Sequence, residues 1–167
     1  MAFSESYIKE VQDFFFLAAM NGYAGSAPKG TIVELPRSKT ITFTDGDWKA
    51  VDVYYTIPNN PWSFGQKVIW RGGIPVWEMS YYGQYPERAK PTLKKALMRT
   101  YEKKIFEGGR GLNWRDTEKE MSYGNTLDMG NGKNDFSYFK GMEYISTSEL
   151  SGAIGWHEYS GMLIPLE

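Results

Sequence analysis

A chain of 167 residues with 19 Lys and Arg against 20 Asp and Glu, no cysteine and one histidine sits near the common size of one domain, able to bury roughly 70% of its unfolded surface. The balanced charge gives no global pull toward phosphate backbones or anionic lipid, so direct nucleic-acid binding is not expected. Without cysteine there are no disulfides, thiolate nucleophiles or zinc–thiolate sites, and one imidazole makes no cluster of metal ligands, so neither metal nor cofactor is expected and the cytoplasm is the simplest location.

The N-terminal segment has acidic and polar residues threaded through its apolar ones, which argues against a signal peptide or membrane span. Ile8, Val11, Phe15 and Ala18 recur at three- and four-residue spacing after Ser4 and Ser6, and Asn21-Gly22 suits a helix end. The pattern predicts a helix over Ser4 to Met20. Phe14, Phe15 and Phe16 point to three sides, so its C-terminal half should be covered by more than one neighbour.

Beyond a loop rich in Gly, Ser and Pro, KTITFTDGDWKAVDVYYTI reads as a hairpin around Asp45-Gly46. A bulged three-residue loop sets Ile41 and Phe43 beside Val51, Val53 and Tyr55; this register is preferred over a two-residue turn because it gathers apolar residues, leaving Trp48, Asp52, Tyr54 and Thr56 on the other face. GQKVIWRGGIPVWEMSYYG reads as a second hairpin around Gly72-Gly73. A two-residue turn there pairs Lys67 with Glu78 and sends Val68, Trp70, Trp77, Met79 and Tyr81 to the core, with Lys67, Glu78, Ser80 and Tyr82 opposite.

A second helix is predicted from about Lys90 to Phe106, with Leu93, Ala96, Leu97, Tyr101 and Ile105 on one stripe and Gly108-Gly109 at its end. GGRGLNWRD then reads as a loop. EKEMSYGN, DFSYFKGMEYIS and GAIGWHEYSGMLI alternate as three further strands, with Asn131-Gly132 as a turn signal between the first two. The expected fold is α+β: a single domain over residues 1–167, with one antiparallel, meander-like sheet of about six to seven strands and two helices packed against it.

GIPVWEMSYYG and GAIGWHEYSG echo one another, which raises the idea of an internal duplication, although one extra residue in the first copy spoils the alignment. DMGNGKND fails as a calcium loop, because Gly130 stands where a third-position ligand belongs and Phe139 where the closing Glu should be. GGRG lacks the Lys-Ser/Thr ending of a phosphate loop and is better read as a helix cap and loop; Arg110 and Arg115 remain candidates for touching an anion. His157, the lone histidine, is more simply a hydrogen-bonded structural residue than a base.

The segments YAG (Tyr23 to Gly25), DVYY (Asp52 to Tyr55), VIWRGGIPVWEMSYYG (Val68 to Gly83) and LKKALMRTYE (Leu93 to Glu102) resemble a family of uncharacterised bacterial domains found alone or C-terminal to Cro/C1-type helix-turn-helix domains in predicted transcriptional regulators. The likeness runs from about Phe14 to Leu163, and its most specific part is VWEMSYYG. It implies no catalytic residues. It implies a context, since a domain that follows a DNA-binding unit often senses something. One N-terminal helix is too little for a helix-turn-helix domain, so DNA binding is not carried over.

The leading expectation is a stand-alone small-molecule-binding or sensing module, with Asp52, Tyr54, Glu78 and Tyr82 on one sheet face, extended by His157, and a small organic or planar ligand as partner. A small enzyme using Asp52 or Glu78 as acid or base, assisted by Tyr82 or His157, is the alternative. A protein-interaction module is the third reading.

Overall fold

The computed structural model describes residues 3–128, 135–149 and 152–165; the turn signal Asn131-Gly132 lies outside them. Helix α1 spans Glu5–Met20, and the Ser4 hydroxyl caps it by accepting from the Tyr7 N–H at 3.3 Å. Strands β1 (Ser38–Asp45), β2 (Trp48–Thr56), β3 (Trp62–Arg71) and β4 (Ile74–Gln84) follow, then a 3-10 turn (Glu87–Ala89) running into α2 (Lys90–Glu102). Strands β5 (Trp114–Asp116), β6 (Met121–Leu127), β7 (Tyr138–Thr147) and β8 (Ala153–Leu163) complete the chain.

All eight strands join one antiparallel sheet in the order β1-β2-β3-β4-β8-β7-β6-β5. The expected six to seven strands therefore become eight. The additional one is the short β5, within the segment read as a loop. A helix followed by a four-stranded meander occurs twice, and the final strands of the two meanders, β4 and β8, pair with each other at the centre. These are the two strands whose sequences echo.

In the first hairpin the preferred register is not the one formed. Gly46, at φ +60°, and Asp47 make a two-residue turn, with Asp45 opposite Trp48, Phe43 opposite Ala50 and Ile41 opposite Asp52. Glycine at the first central position supplies the positive φ of a turn whose twist suits a hairpin. Trp48, Ala50, Asp52 and Tyr54 thereby face the helices, and Trp48 stacks on Phe14 at 5.1 Å. Val51, Val53 and Tyr55 take the opposite face.

The second hairpin turns at Gly72-Gly73 as expected, with φ values of +55° and +83°. Its register then slips by one: Trp70 pairs with Pro75, but Ile69 pairs with Trp77. Pro75 has no N–H to give to the ladder, and Val76 is the extra residue of the resulting bulge. β4 keeps its expected faces, with Trp77 and Met79 buried, whereas β3 is inverted. Lys67 faces inward opposite Met79 and Asp52, and Val68 faces outward opposite Glu78. The expected Lys67–Glu78 pair does not form.

Helix α2 ends earlier than Phe106, because Lys104 adopts the left-handed conformation at φ 52° that closes a helix. Freed from the helix, Phe106 packs against Phe15, Phe136 and Phe139 with centroids 5.0–5.9 Å apart. Both helices lie on the inner face, over a core that includes Phe15, Trp77, Leu93, Leu97 and Tyr123. The outer face carries side chains such as Trp62, Phe64, Tyr82 and Met162, which are 46–56% exposed.

Candidate functional site

Between the helices and the inner face lies a cavity of about 1240 Å³. One register row across the sheet brings together Ser63, Gly83, His157, Glu143 and Asn125; the next brings Tyr54, Gly65, Tyr81 and Tyr159. The glycines leave room for their neighbours to lean over. A Cβ on Gly83 would stand 2.7 Å from Cδ2 of His157, and one on Gly65 would stand 2.7 Å from the Tyr81 hydroxyl.

Asp52 accepts a 2.6 Å hydrogen bond from the Tyr81 hydroxyl, with Lys67 on the adjacent strand. Burial raises the Asp52 carboxyl above its ordinary value, against the pull of Lys67, the Tyr81 bond and Arg110. Burial likewise lowers Lys67, in part against Asp52. The Lys67 ammonium also lies over the Phe15 ring, 5.5 Å from its centroid.

Deeper in, Glu143 is fully buried and held by the Arg110 guanidinium and by the Tyr123 hydroxyl, which donates at 2.7 Å. Burial alone would raise the Glu143 carboxyl. Arg110, with help from His157, instead holds it at about 2. His157 places Nδ1 3.5 Å from Glu143 Oε1 and Nε2 3.0 Å from the Ser63 hydroxyl. Burial keeps the imidazole below its ordinary 6.5 despite the Glu143 carboxylate, so it is neutral at pH 7 and shares a hydrogen bond with the Ser63 hydroxyl. Among the described residues, the Tyr85 hydroxyl, Arg110 Nε and His157 Nδ1 are buried without a hydrogen-bond partner, and all three residues line the cavity.

The mouth is basic. Among the described residues, Lys29, Arg37, Lys39, Lys90 and Lys94 line it with a single carboxylate, Glu87, beside Tyr23 and Tyr54. Burial, followed by the Asp52 charge for Tyr54 and by the Tyr54 phenol itself for Tyr23, pushes both phenols up to about 12.

Of the five residues expected to share one face, Asp52, Tyr54 and His157 line the cavity. Glu78 and Tyr82 lie on the opposite face of the sheet. Glu78 accepts from Gln66 Nε2 and from the Ser80 hydroxyl, each at 3.2 Å, and Tyr82 donates to Glu158. The physical reason is the register of the first hairpin: the Gly46-Asp47 turn moved Asp52 and Tyr54 inward, while β4 kept Glu78 and Tyr82 outward as expected. Arg110 lines the cavity, and Arg115 is exposed outside it. Sequence reasoning missed Lys67, Tyr81, Glu143 and Ser63 as site residues. Glu143 was detectable, because it shares strand parity with Phe139, Gly141 and Ile145, and a carboxylate on the core parity of a strand needs a partner.

Among the described residues, no group of three or more His, Asp or Glu side chains gathers in a way that could hold a metal ion, and no helix is long and apolar enough to cross a membrane. Residues 52–163 match the model of a family described as a domain of unknown function, DUF5680. The match begins at β2, later than the resemblance from Phe14, and takes in the cavity floor. No curated protein and no solved structure matches the chain.

Proposed function

We propose that this chain, which belongs to the DUF5680 family, is a small-molecule-binding or sensing module whose site is the cavity between the helices and the sheet. The observation that carries the reading is the enclosure itself: about 1240 Å³, walled by aromatic rings, with Asp52, Lys67, Tyr81, Arg110 and His157 converging on it. Aromatic walls with a few directed polar groups are what an organic ligand requires for burial and orientation. The likeness to domains that follow Cro/C1-type helix-turn-helix units supports sensing rather than transport, and the cysteine-free composition suits a cytoplasmic setting.

Chemical-shift mapping against a metabolite library tests this. Ligands that bind should perturb Asp52, Tyr81, Arg110 and His157 while leaving Glu78 and Tyr82 on the far face unmoved. Perturbations confined to the outer face would refute the assignment.

A second reading, a small enzyme, draws support from the Ser63–His157–Glu143 chain of contacts, the order in which a hydroxyl is activated by an oriented imidazole. It replaces the acid–base pairing of Asp52 with Glu78, which stand on opposite faces. Covalent labelling of Ser63 by a fluorophosphonate, abolished in His157→Gln, would favour it; an unlabelled Ser63 counts against it.

A further inference from the structure

The chain as a whole is nearly neutral, with 19 cations and 20 anions, yet the cavity mouth is strongly unbalanced. Lys29, Lys39, Lys90 and Lys94 converge there from the segment before β1, from β1 itself and from α2. The Lys29 and Lys39 ammoniums lie 5.9 and 6.0 Å from the centroid of the Tyr54 ring, and Lys29 and Lys94 lie 5.9 and 4.9 Å from that of Tyr23. The two rings are themselves in edge contact at 6.5 Å. Three ammoniums, those of Lys29, Lys39 and Lys94, thus surround one aromatic pair, and Lys90 lines the same mouth.

Among the described residues, Lys90 alone of the four has an ion-pair partner at the mouth, Glu87; Lys94 donates to the Ser26 hydroxyl at 3.1 Å. Among the described residues, Lys29 and Lys39 have no carboxylate within ion-pair distance. Burial lowers Lys39 and Lys94, and the neighbouring Lys29 and Lys90 ammoniums lower both further. Like charges held this close repel, and a counter-charge between them relieves the repulsion. On the floor the charges are already matched, Arg110 with Glu143 and Lys67 facing Asp52. The uncompensated charge sits at the entrance.

Resting on the reading of the cavity as a ligand site, we propose that it takes an organic polyanion: a molecule with a planar body and a phosphate or polycarboxylate end. The anionic end lies among Lys29, Lys39, Lys90 and Lys94, and the planar body runs inward past Tyr23 and Tyr54. Rings offer a planar ligand stacking area, and clustered lysines act on phosphate or carboxylate as point charges that tolerate variation in its geometry.

The test is titration calorimetry on the intact chain with adenosine diphosphate, pyrophosphate, citrate and neutral adenosine, in low and raised salt. The expected result is binding of at least one polyanion, at least tenfold tighter than adenosine, weakening steeply as salt rises. The triple variant K29Q/K39Q/K94Q should lose at least tenfold of that affinity while melting like the parent protein. No polyanion binding, equal affinity for adenosine, or an unaffected triple variant would overturn the proposal. Native mass spectrometry of the same protein separates the two levels: a retained neutral or cationic molecule overturns the polyanion but keeps the cavity as a ligand site, whereas a bare chain together with silent titrations overturns both.

Discussion

Asp52 and Lys67 stand directly opposite each other on β2 and β3, and both line the cavity. Neither has a second opposite charge as near in register, so truncating one should strand the other. Asp52→Asn and Lys67→Met are each expected to destabilise the fold by roughly 1–3 kcal/mol, a value reduced because the cavity leaves both part-exposed. The double variant should cost less than the two together, giving a coupling on the order of 1 kcal/mol in a denaturant double-mutant cycle. Simple additivity would mean that the pair is not coupled.

Glu143 sets an acid limb on stability. Its folded carboxyl, at about 2, lies below its ordinary 4.5, so between those values the unfolded state binds more protons and stability rises with pH. The contribution is fully present above 4.5, is lost as pH falls toward 2, and is on the order of 3 kcal/mol. Glu143→Gln should flatten this limb and, by leaving Arg110 buried and unpaired, cost roughly 3–5 kcal/mol at neutral pH. Urea melts from pH 2 to 7 measure both effects.

His157 acts in a higher window. Burial holds its folded pKa below 6.5, so the stability due to the neutral imidazole is complete above 6.5 and declines as pH falls through the folded value. Its NMR titration should therefore show a midpoint below 6.5. A midpoint at or above 6.5 would place the imidazole in water or in a dominant ion pair with Glu143.

Trp77 and Glu78 are neighbours with opposite fates. Trp77 is fully buried against Phe15, Phe136 and Phe139 at 5.0–5.7 Å. Trp77→Ala should cost roughly 3–5 kcal/mol, a large share of the ~5–15 kcal/mol that holds a domain together. Glu78→Gln replaces a side chain whose partners are two 3.2 Å hydrogen bonds on the outer face, so a change of at most ~0.5 kcal/mol is expected. Denaturant melts that reverse this order would mean that β4 faces the other way.

The parts of the fold readable in the sequence are those set by local chemistry. Ser4 caps α1, Gly72-Gly73 turns the second hairpin, and the alternation of Trp77, Met79 and Tyr81 gives the face of β4. Register was less legible. Asp52 and Lys67 were misassigned because a bulged three-residue loop around Asp45-Gly46 gathers more apolar residues on one face than the two-residue Gly46-Asp47 turn that forms, and because a bulge at Pro75-Val76 shifts one strand without changing the turn; a one-residue slip sends every later side chain to the other face. Half of the candidate site followed from that. Asp52, Tyr54 and His157 were named, but the Arg110–Glu143 pair needs the meeting of a loop with β7 across 33 residues, and the basic mouth needs Lys29 and Lys94 to meet across the two helical halves. Neither meeting is encoded in local spacing.

The most direct measurement of whether the cavity is a ligand site is native mass spectrometry of protein purified gently from its own host, alongside an Ala24→Trp variant designed to obstruct the cavity that Ala24 lines. The expected result is a small molecule retained at one per chain by the parent protein and absent from the variant, with both showing the same circular dichroism. A bare chain from both, or equal retention by both, would contradict the assignment of the cavity as the binding site.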